Sequence, residues 1–164
     1  YEKHPIIMPL SNPISCCEVT PLDALTWTEG NALIATGSPF DDVVLDGKVY
    51  NISQCNNAYI FPGLGQGIIM SKAKKLTLKM LLAASESLSR TWNTIKGQEG
   101  KEEYLLPPLN KEYQKISYEI SKAVALQAIE DGVTDLSAKS IDQSFKEISW
   151  DYQYYKFSKL ESDQ

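Results

Sequence analysis

Histidine is almost missing from this 164-residue chain, with His4 the only one. A Ser-His or Cys-His catalytic pair would have to be built on it, and a plainly exposed side chain is the simpler reading. Cysteine is also sparse. Cys16, Cys17 and Cys55 cannot make a disulfide framework, and no second Cys pair or His cluster supplies zinc-like spacing. This usage suits a reducing cytoplasm. No apolar run reaches the roughly 20 residues needed to span a bilayer, and Tyr1 to Pro5 does not read as a signal peptide. Basic residues number 16 against 21 acidic ones, for a net charge of −5. They are scattered apart from Lys72, Lys74 and Lys75, which disfavours nucleic acid, because phosphate contacts need a concentrated basic face. The chain also lacks an initial Met and is expected to be a piece of a longer polypeptide.

What is present fits one soluble globular unit with a real core, at 43% apolar and 23% charged residues. Pro5 to Leu10 predicts a buried strand. Thr20-Pro21-Leu22-Asp23 predicts a helix start, with Thr20 as cap and Pro21 in the first turn, running to Trp27 and stopping by Gly30. Ala32 to Thr36 predicts a second strand, Leu45 to Lys48 a turn and Val49 to Ile52 another strand. Strand, helix, strand at this spacing predicts a parallel βαβ unit. Apolar residues from Gly65 to Ser89 predict one long or broken helix, and Trp92 to Tyr104 a mobile surface connection. Ile116, Ile120, Val124 and Ala128 mark a helix ending at Gly132. A last short helix contains Ile141, Phe145 and Ile148, and the aromatic tail from Trp150 to Tyr155 reads as a docking segment or subunit contact. No internal repeat is visible.

Candidate chemistry centres on carboxamides. Asn56 and Asn57 stand just ahead of a glycine-rich apolar helix, and each amide carries two N–H donors and an acceptor oxygen that need partners. They either bind a small charged ligand or form an Asx turn capping the helix. Asn12 sits where the first strand should stop, which in open α/β sheets is the ligand-binding edge, and Pro13 helps to end that strand. Gly63-Leu64-Gly65-Gln66-Gly67 departs from the dinucleotide spacing Gly-x-Gly-x-x-Gly and reads better as close helix packing. Glu29, Asp41, Asp42, Glu102 and Glu103 are the acidic candidates for acid, base or metal work, without a convergent cluster, so solvated surface is their default reading.

Leu10-Ser11-Asn12-Pro13, Trp27-Thr28-Glu29-Gly30, Ala35-Thr36-Gly37-Ser38-Pro39-Phe40 and Asn56 to Gly63 resemble, in order and spacing, the C-terminal half of malic enzymes. Leu106-Pro107-Pro108-Leu109 and Glu130-Asp131-Gly132-Val133 continue the likeness, which weakens after Thr134. Many members have Gly at the position of Cys55, whereas Gln54-Cys55-Asn56-Asn57 is similar to the bacterial NAD-linked subgroup. The resemblance implies an α/β fold, the second half of a Rossmann-like NAD-binding domain over residues 1–91, with a parallel sheet flanked by helices, and a helical C-terminal segment over 92–164. It implies oxidation of L-malate by hydride transfer to NAD, loss of carbon dioxide and formation of pyruvate. By resemblance Asn12 lies beside the nicotinamide and the substrate, and Asn56, with Asn57 close behind, hydrogen-bonds a malate carboxylate. The family's Lys base, Tyr acid and the ligands of its Mg²⁺ or Mn²⁺ precede this part and map onto none of these residues, so the isolated chain is expected to be inactive. Family members form dimers and tetramers, which implies a homo-oligomer. A malolactic enzyme, which turns malate into lactate, shares the Asn motifs and is the nearest alternative, although Gly37 to Phe40 resembles malic enzymes better. A catalytically silent binding or assembly module is the other.

Overall fold

The computed structural model describes residues 2–99, 104–108 and 113–148. Strand β1 (Ile6–Ile7) leads through a short 3-10 turn to helix α1 (Pro21–Trp27) and back to β2 (Leu33–Thr36). These two strands are parallel, with Ile6 beside Leu33, so the expected βαβ unit is present. Strand β5 (Ser53–Gln54) adds to the other side of β2, again parallel, giving a three-stranded sheet in the order β1-β2-β5. Thr20 caps α1 by accepting from the Asp23 amide at 3.2 Å, as its position predicts.

The first strand is shorter than the sequence suggests. Pro5 and Pro9 bracket it without N–H groups, so they join the neighbouring strand only through their carbonyls, which accept from Leu33 and Gly37 at 2.9 Å. The segment expected as one strand from Val49 to Ile52 is divided. Val43–Leu45 (β3) and Lys48–Tyr50 (β4) form an antiparallel hairpin about Asp46 and Gly47, both at positive φ as a type I′ turn requires. Asp42 fastens that hairpin to the sheet, its carboxylate accepting from the Ile52 amide at 2.9 Å and the Asn51 side chain at 3.1 Å.

The long apolar segment is two helices, α2 (Phe61–Ser71) and α3 (Leu78–Glu99). Lys72 ends α2 in the left-handed region, and Thr77 restarts the chain by capping the Met80 amide at 3.1 Å. Helix α3 then continues to Glu99, well into the stretch expected to be a surface connection, of which residues 100–103 lie outside the described residues. Leu88, Trp92 and Ile95 prolong its apolar stripe and are all buried, which outweighs the Gly and Lys content near its end. Helix α4 (Tyr113–Glu130) buries Ile116, Ile120, Val124 and Ala128 completely. It ends as expected, with Gly132 at positive φ and the Val133 amide donating to the Ala128 carbonyl at 3.1 Å. Helix α5 (Ile141–Ile148) holds on by Ile141 and by Phe145, whose ring meets Tyr118 edge-on at 4.5 Å. The aromatic tail lies outside the described residues, as do Glu102 and Glu103.

Three apolar centres result among the described residues, the smallest being Met70, Ala125 and Ile141. Ala24, Leu25, Ala32, Ile34 and Ile52 sit between α1, the hairpin and the sheet, while α2, α3 and α4 enclose a larger cluster around Tyr59, Met80, Trp92 and Ile120.

Candidate functional site

The three parallel strands end on the same side, and the chain leaving each of them carries one polar side chain of interest. Asn12 follows β1, Ser38 follows β2 and Asn56 follows β5. With neighbouring strands about 4.8 Å apart, the outer two segments stand roughly 10 Å from each other at the sheet. That is the dimension of a small ligand.

Close backbone approach builds this edge. The Gly37 amide donates to the Pro9 carbonyl at 2.9 Å, and a Cβ at Gly37 would stand 2.6 Å from the Leu10 carbonyl carbon. Only glycine lets the two loops meet. On the other side the Cys55 amide donates to the Thr36 carbonyl at 2.7 Å, and Gln54 donates to the Gly37 carbonyl at 3.4 Å. Thr36 is fully buried, its hydroxyl donating to the Ser38 carbonyl at 2.8 Å.

Asn12 is exposed on the loop after β1, and its Oδ1 accepts a short hydrogen bond from the buried Ser38 hydroxyl. Among the described residues its Nδ2 makes only a long hydrogen bond of 3.5 Å, to the Leu10 carbonyl. The loop is clipped behind it. Glu18 accepts from the Ser11 hydroxyl at 2.7 Å and from the Ser11 amide at 3.3 Å, which holds the Glu18 carboxyl below its ordinary range.

Asn56 caps a 3-10 turn at Asn57–Tyr59, its Oδ1 accepting from the Ala58 amide at 2.9 Å. The Asx-cap reading of this residue is therefore correct. It does not exhaust the side chain, because the two Nδ2 hydrogens have no partner among the described residues. Asn57 is exposed at the start of the same turn. Two tyrosines fix the turn from the far side, the Tyr59 hydroxyl donating to the Pro107 carbonyl and the Tyr113 hydroxyl to the Ala58 carbonyl. Burial, followed by Cys55 and Tyr113, pushes the Tyr59 hydroxyl up to about 12. Burial also raises the Cys55 thiol, so at neutral pH it is a protonated, half-buried group beside Asn56.

The glycines of α2 serve packing. A Cβ at Gly63 would lie 2.7 Å from Ile120, and one at Gly67 2.6 Å from the Ser121 carbonyl oxygen, both on α4. Gly65 faces open space. Among the acidic candidates, Asp42 is a structural clip, also accepting from the Tyr104 hydroxyl at 3.1 Å, while Glu29 and Asp41 are exposed. Among the described residues no group of three His, Cys, Asp or Glu side chains stands close enough to hold a metal ion, and no helix is long and apolar enough to cross a membrane.

Two cavities among the described residues are lined by none of Asn12, Asn56 and Asn57. One of about 280 Å³ opens at the amino-terminal edge of the sheet, lined by His4, Asn31, Lys48 and Tyr50. Another of about 170 Å³ borders Phe40, Gln54 and Tyr59. Ser38 and Gly37 stand in the sequence only as part of the Ala35 to Phe40 motif, with no role assigned to either, and both prove central to the edge.

Known proteins resemble this chain in sequence and fold. The family described as "Malic enzyme, NAD binding domain" matches residues 1–129. The NAD-dependent malic enzyme of Enterobacter sp. (strain 638) is 47% identical over 156 residues, covering 94% of this chain and 27% of the relative. That of Escherichia coli O139:H28 is 48% identical over 151 residues, covering 92% and 26%. Among solved structures, Entamoeba histolytica malic enzyme superposes with a TM-score of 0.61 at 29% identity, over 89% of this chain and 27% of the other. The malic enzyme of Pyrococcus horikoshii Ot3 gives 0.59 at 26% identity, over 86% and 28%. The chain thus spans about a quarter of the length of the curated relatives it matches. With a parallel sheet whose carboxyl edge gathers the motif amides, and a family match over 129 of its 164 residues, the chain belongs to the malic enzyme NAD-binding domain family.

Proposed function

We propose that this chain forms the nicotinamide and substrate side of an NAD-dependent malic enzyme that converts L-malate to pyruvate and carbon dioxide. The observation that carries the reading is the state of the two carboxamides at the sheet edge. Asn12 Oδ1 is engaged by Ser38 and Asn56 Oδ1 by the Ala58 amide, so what each side chain offers outward is N–H. A pair of neutral donors suits an acceptor ligand such as a carboxylate or an amide carbonyl, without adding a charge that would disturb a nearby base. Asn56, with Asn57 beside it, would hold a malate carboxylate, and Asn12 would face the nicotinamide and the substrate.

The residues here fit one half of NAD. Asn12 offers a donor to a nicotinamide carbonyl, whereas Gly63 and Gly67 of α2 are packed against α4, and Gly65, which faces open space, lacks the Gly-x-Gly-x-x-Gly spacing of a pyrophosphate cradle. When bound, NAD accepts the hydride from malate. The divalent ion implied by the resemblance does not fit the described residues, and its ligands are assigned to the remainder of the longer polypeptide, with the acid and the base. A cytoplasmic homo-oligomer, dimer or tetramer, is the assembly proposed on the same resemblance. The test is the full-length polypeptide containing this chain, supplied with L-malate, NAD and Mn²⁺. NADH and pyruvate in equal amounts are expected; lactate without NADH would indicate a malolactic enzyme, and no conversion would leave a binding module.

A further inference from the structure

We propose that Ser38 is the positioning residue that fixes which way the Asn12 carboxamide faces its ligand; this rests on the malic enzyme reading above. A terminal amide torsion is broad and nearly two-fold, so an exposed Asn turns easily between presenting N–H₂ and presenting oxygen. Only the first attracts a carboxylate or carbonyl. The second sets oxygen against oxygen, so the direction of Asn12 decides whether it recognises the ligand at all.

Ser38 is built to make that choice. It is 3% exposed while Asn12 lies on the surface, and its hydroxyl donates to Asn12 Oδ1 across 26 residues of sequence. Its own place is set from both sides. The Thr36 hydroxyl holds the Ser38 carbonyl, and the preceding Gly37 amide is tied to the Pro9 carbonyl in the segment that leads from β1 to Asn12. The bond therefore connects two loops whose backbones are already fixed, which leaves the amide direction as the one freedom the hydroxyl removes. With Oδ1 held, Nδ2 keeps no hydrogen bond shorter than the 3.5 Å to Leu10 among the described residues and is available to a ligand.

The test is a double-mutant cycle in the full-length enzyme, reading kcat/KM for L-malate, NADH affinity by fluorescence titration and the thermal midpoint. Ser38→Ala is expected to lower kcat/KM about 10-fold and Asn12→Ala about 10- to 100-fold, with NADH binding weakened in parallel. In the double variant the loss should equal that of Asn12→Ala alone, because Ser38 acts through the amide. Asn12→Asp, which still accepts from Ser38 but has no N–H to offer, should lose activity while keeping its thermal midpoint. An additive double loss would overturn the proposal and make Ser38 a structural residue. If Ser38→Ala does not fold, Ser38→Cys, nearly equal in size and a weaker donor, takes its place in the cycle. Failure of both to fold would also overturn it, since the hydroxyl would then serve the fold. An Asn12→Ala enzyme as active as the parent would bring down the site reading itself, a result distinct from additivity.

Discussion

Single residues at the sheet edge divide into those whose chemistry shows in the sequence and those whose role depends on a distant partner. Asn12 and Asn56 stand out because a carboxamide is a poor candidate for burial and both follow strand-like runs. Ser38 shows only as a member of the Ala35 to Phe40 motif, and its role is hidden because its partner lies 26 positions away. Gly37 is similar. It has no positive φ, and only the neighbouring Leu10 carbonyl explains why a side chain is excluded. Gly37→Ala is therefore expected to cost about 1–3 kcal/mol by forcing the two loops apart. The enzyme should show a lower thermal midpoint together with reduced kcat/KM; a variant that keeps both would mean the loops separate freely.

At the scale of elements, helix α2 offers an internal comparison. Gly63, Gly65 and Gly67 look alike as a spaced motif, yet only the first and third lie against α4. Gly65→Ala is expected to stabilise by up to about 1 kcal/mol, because alanine restricts the unfolded chain and meets no neighbour. Gly67→Ala should destabilise by about 1–3 kcal/mol, because its methyl would collide with the Ser121 carbonyl and Val124. Chemical denaturation of the two variants would show opposite shifts, and shifts of the same sign would refute the packing assignment. The sequence indicated that these glycines serve packing, but not which of them do. It also marked α4 well, since four apolar residues at four-residue spacing survive as a fully buried stripe, whereas the break at Lys72 depended on contacts far along the chain. Thr77, which caps α3, also donates to Asp131 beyond α4, and the Lys74 amide donates to the Val133 carbonyl at 2.8 Å. Tyr59 ties the turn bearing the amides to Pro107 in the same long-range way. Its hydroxyl titrates near 12 in the folded chain against about 10 for a free tyrosine, so the folded state favours the protonated form. That contribution to stability is complete below about pH 10 and is lost as pH rises through about 12. Tyr59→Phe should lower stability at neutral pH by about 1–3 kcal/mol, through the deserted Pro107 carbonyl, and should flatten the alkaline loss relative to the parent. Parallel alkaline curves would contradict the assignment.

The described residues form a three-stranded parallel sheet with β1 and β5 at its edges, an antiparallel hairpin and a group of packed helices. Ile6 and Leu33 lie side by side in register at 56% and 44% exposure, and Trp27 and Phe61 are more exposed still. Apolar surface of this extent fits a chain that covers about a quarter of its relatives. Sequence reasoning reached the amides, and on the proposed function the acid, base and metal ligands they would work with belong to the longer polypeptide. The isolated 164-residue chain is accordingly expected to bind NADH weakly and to form no pyruvate from malate, and turnover by it alone would require an acid and a base within these residues. The most direct test of the central claim, that donor amides at the carboxyl edge hold the substrate, is kcat/KM for L-malate in the full-length enzyme carrying Asn56→Ala. A fall of roughly 10- to 150-fold, with the thermal midpoint lowered only by loss of the cap, is the expected result, since a hydrogen bond to a charged group is worth about 1.5–3 kcal/mol. Unchanged kinetics in a folded variant would contradict it and leave Asn56 as a helix cap alone.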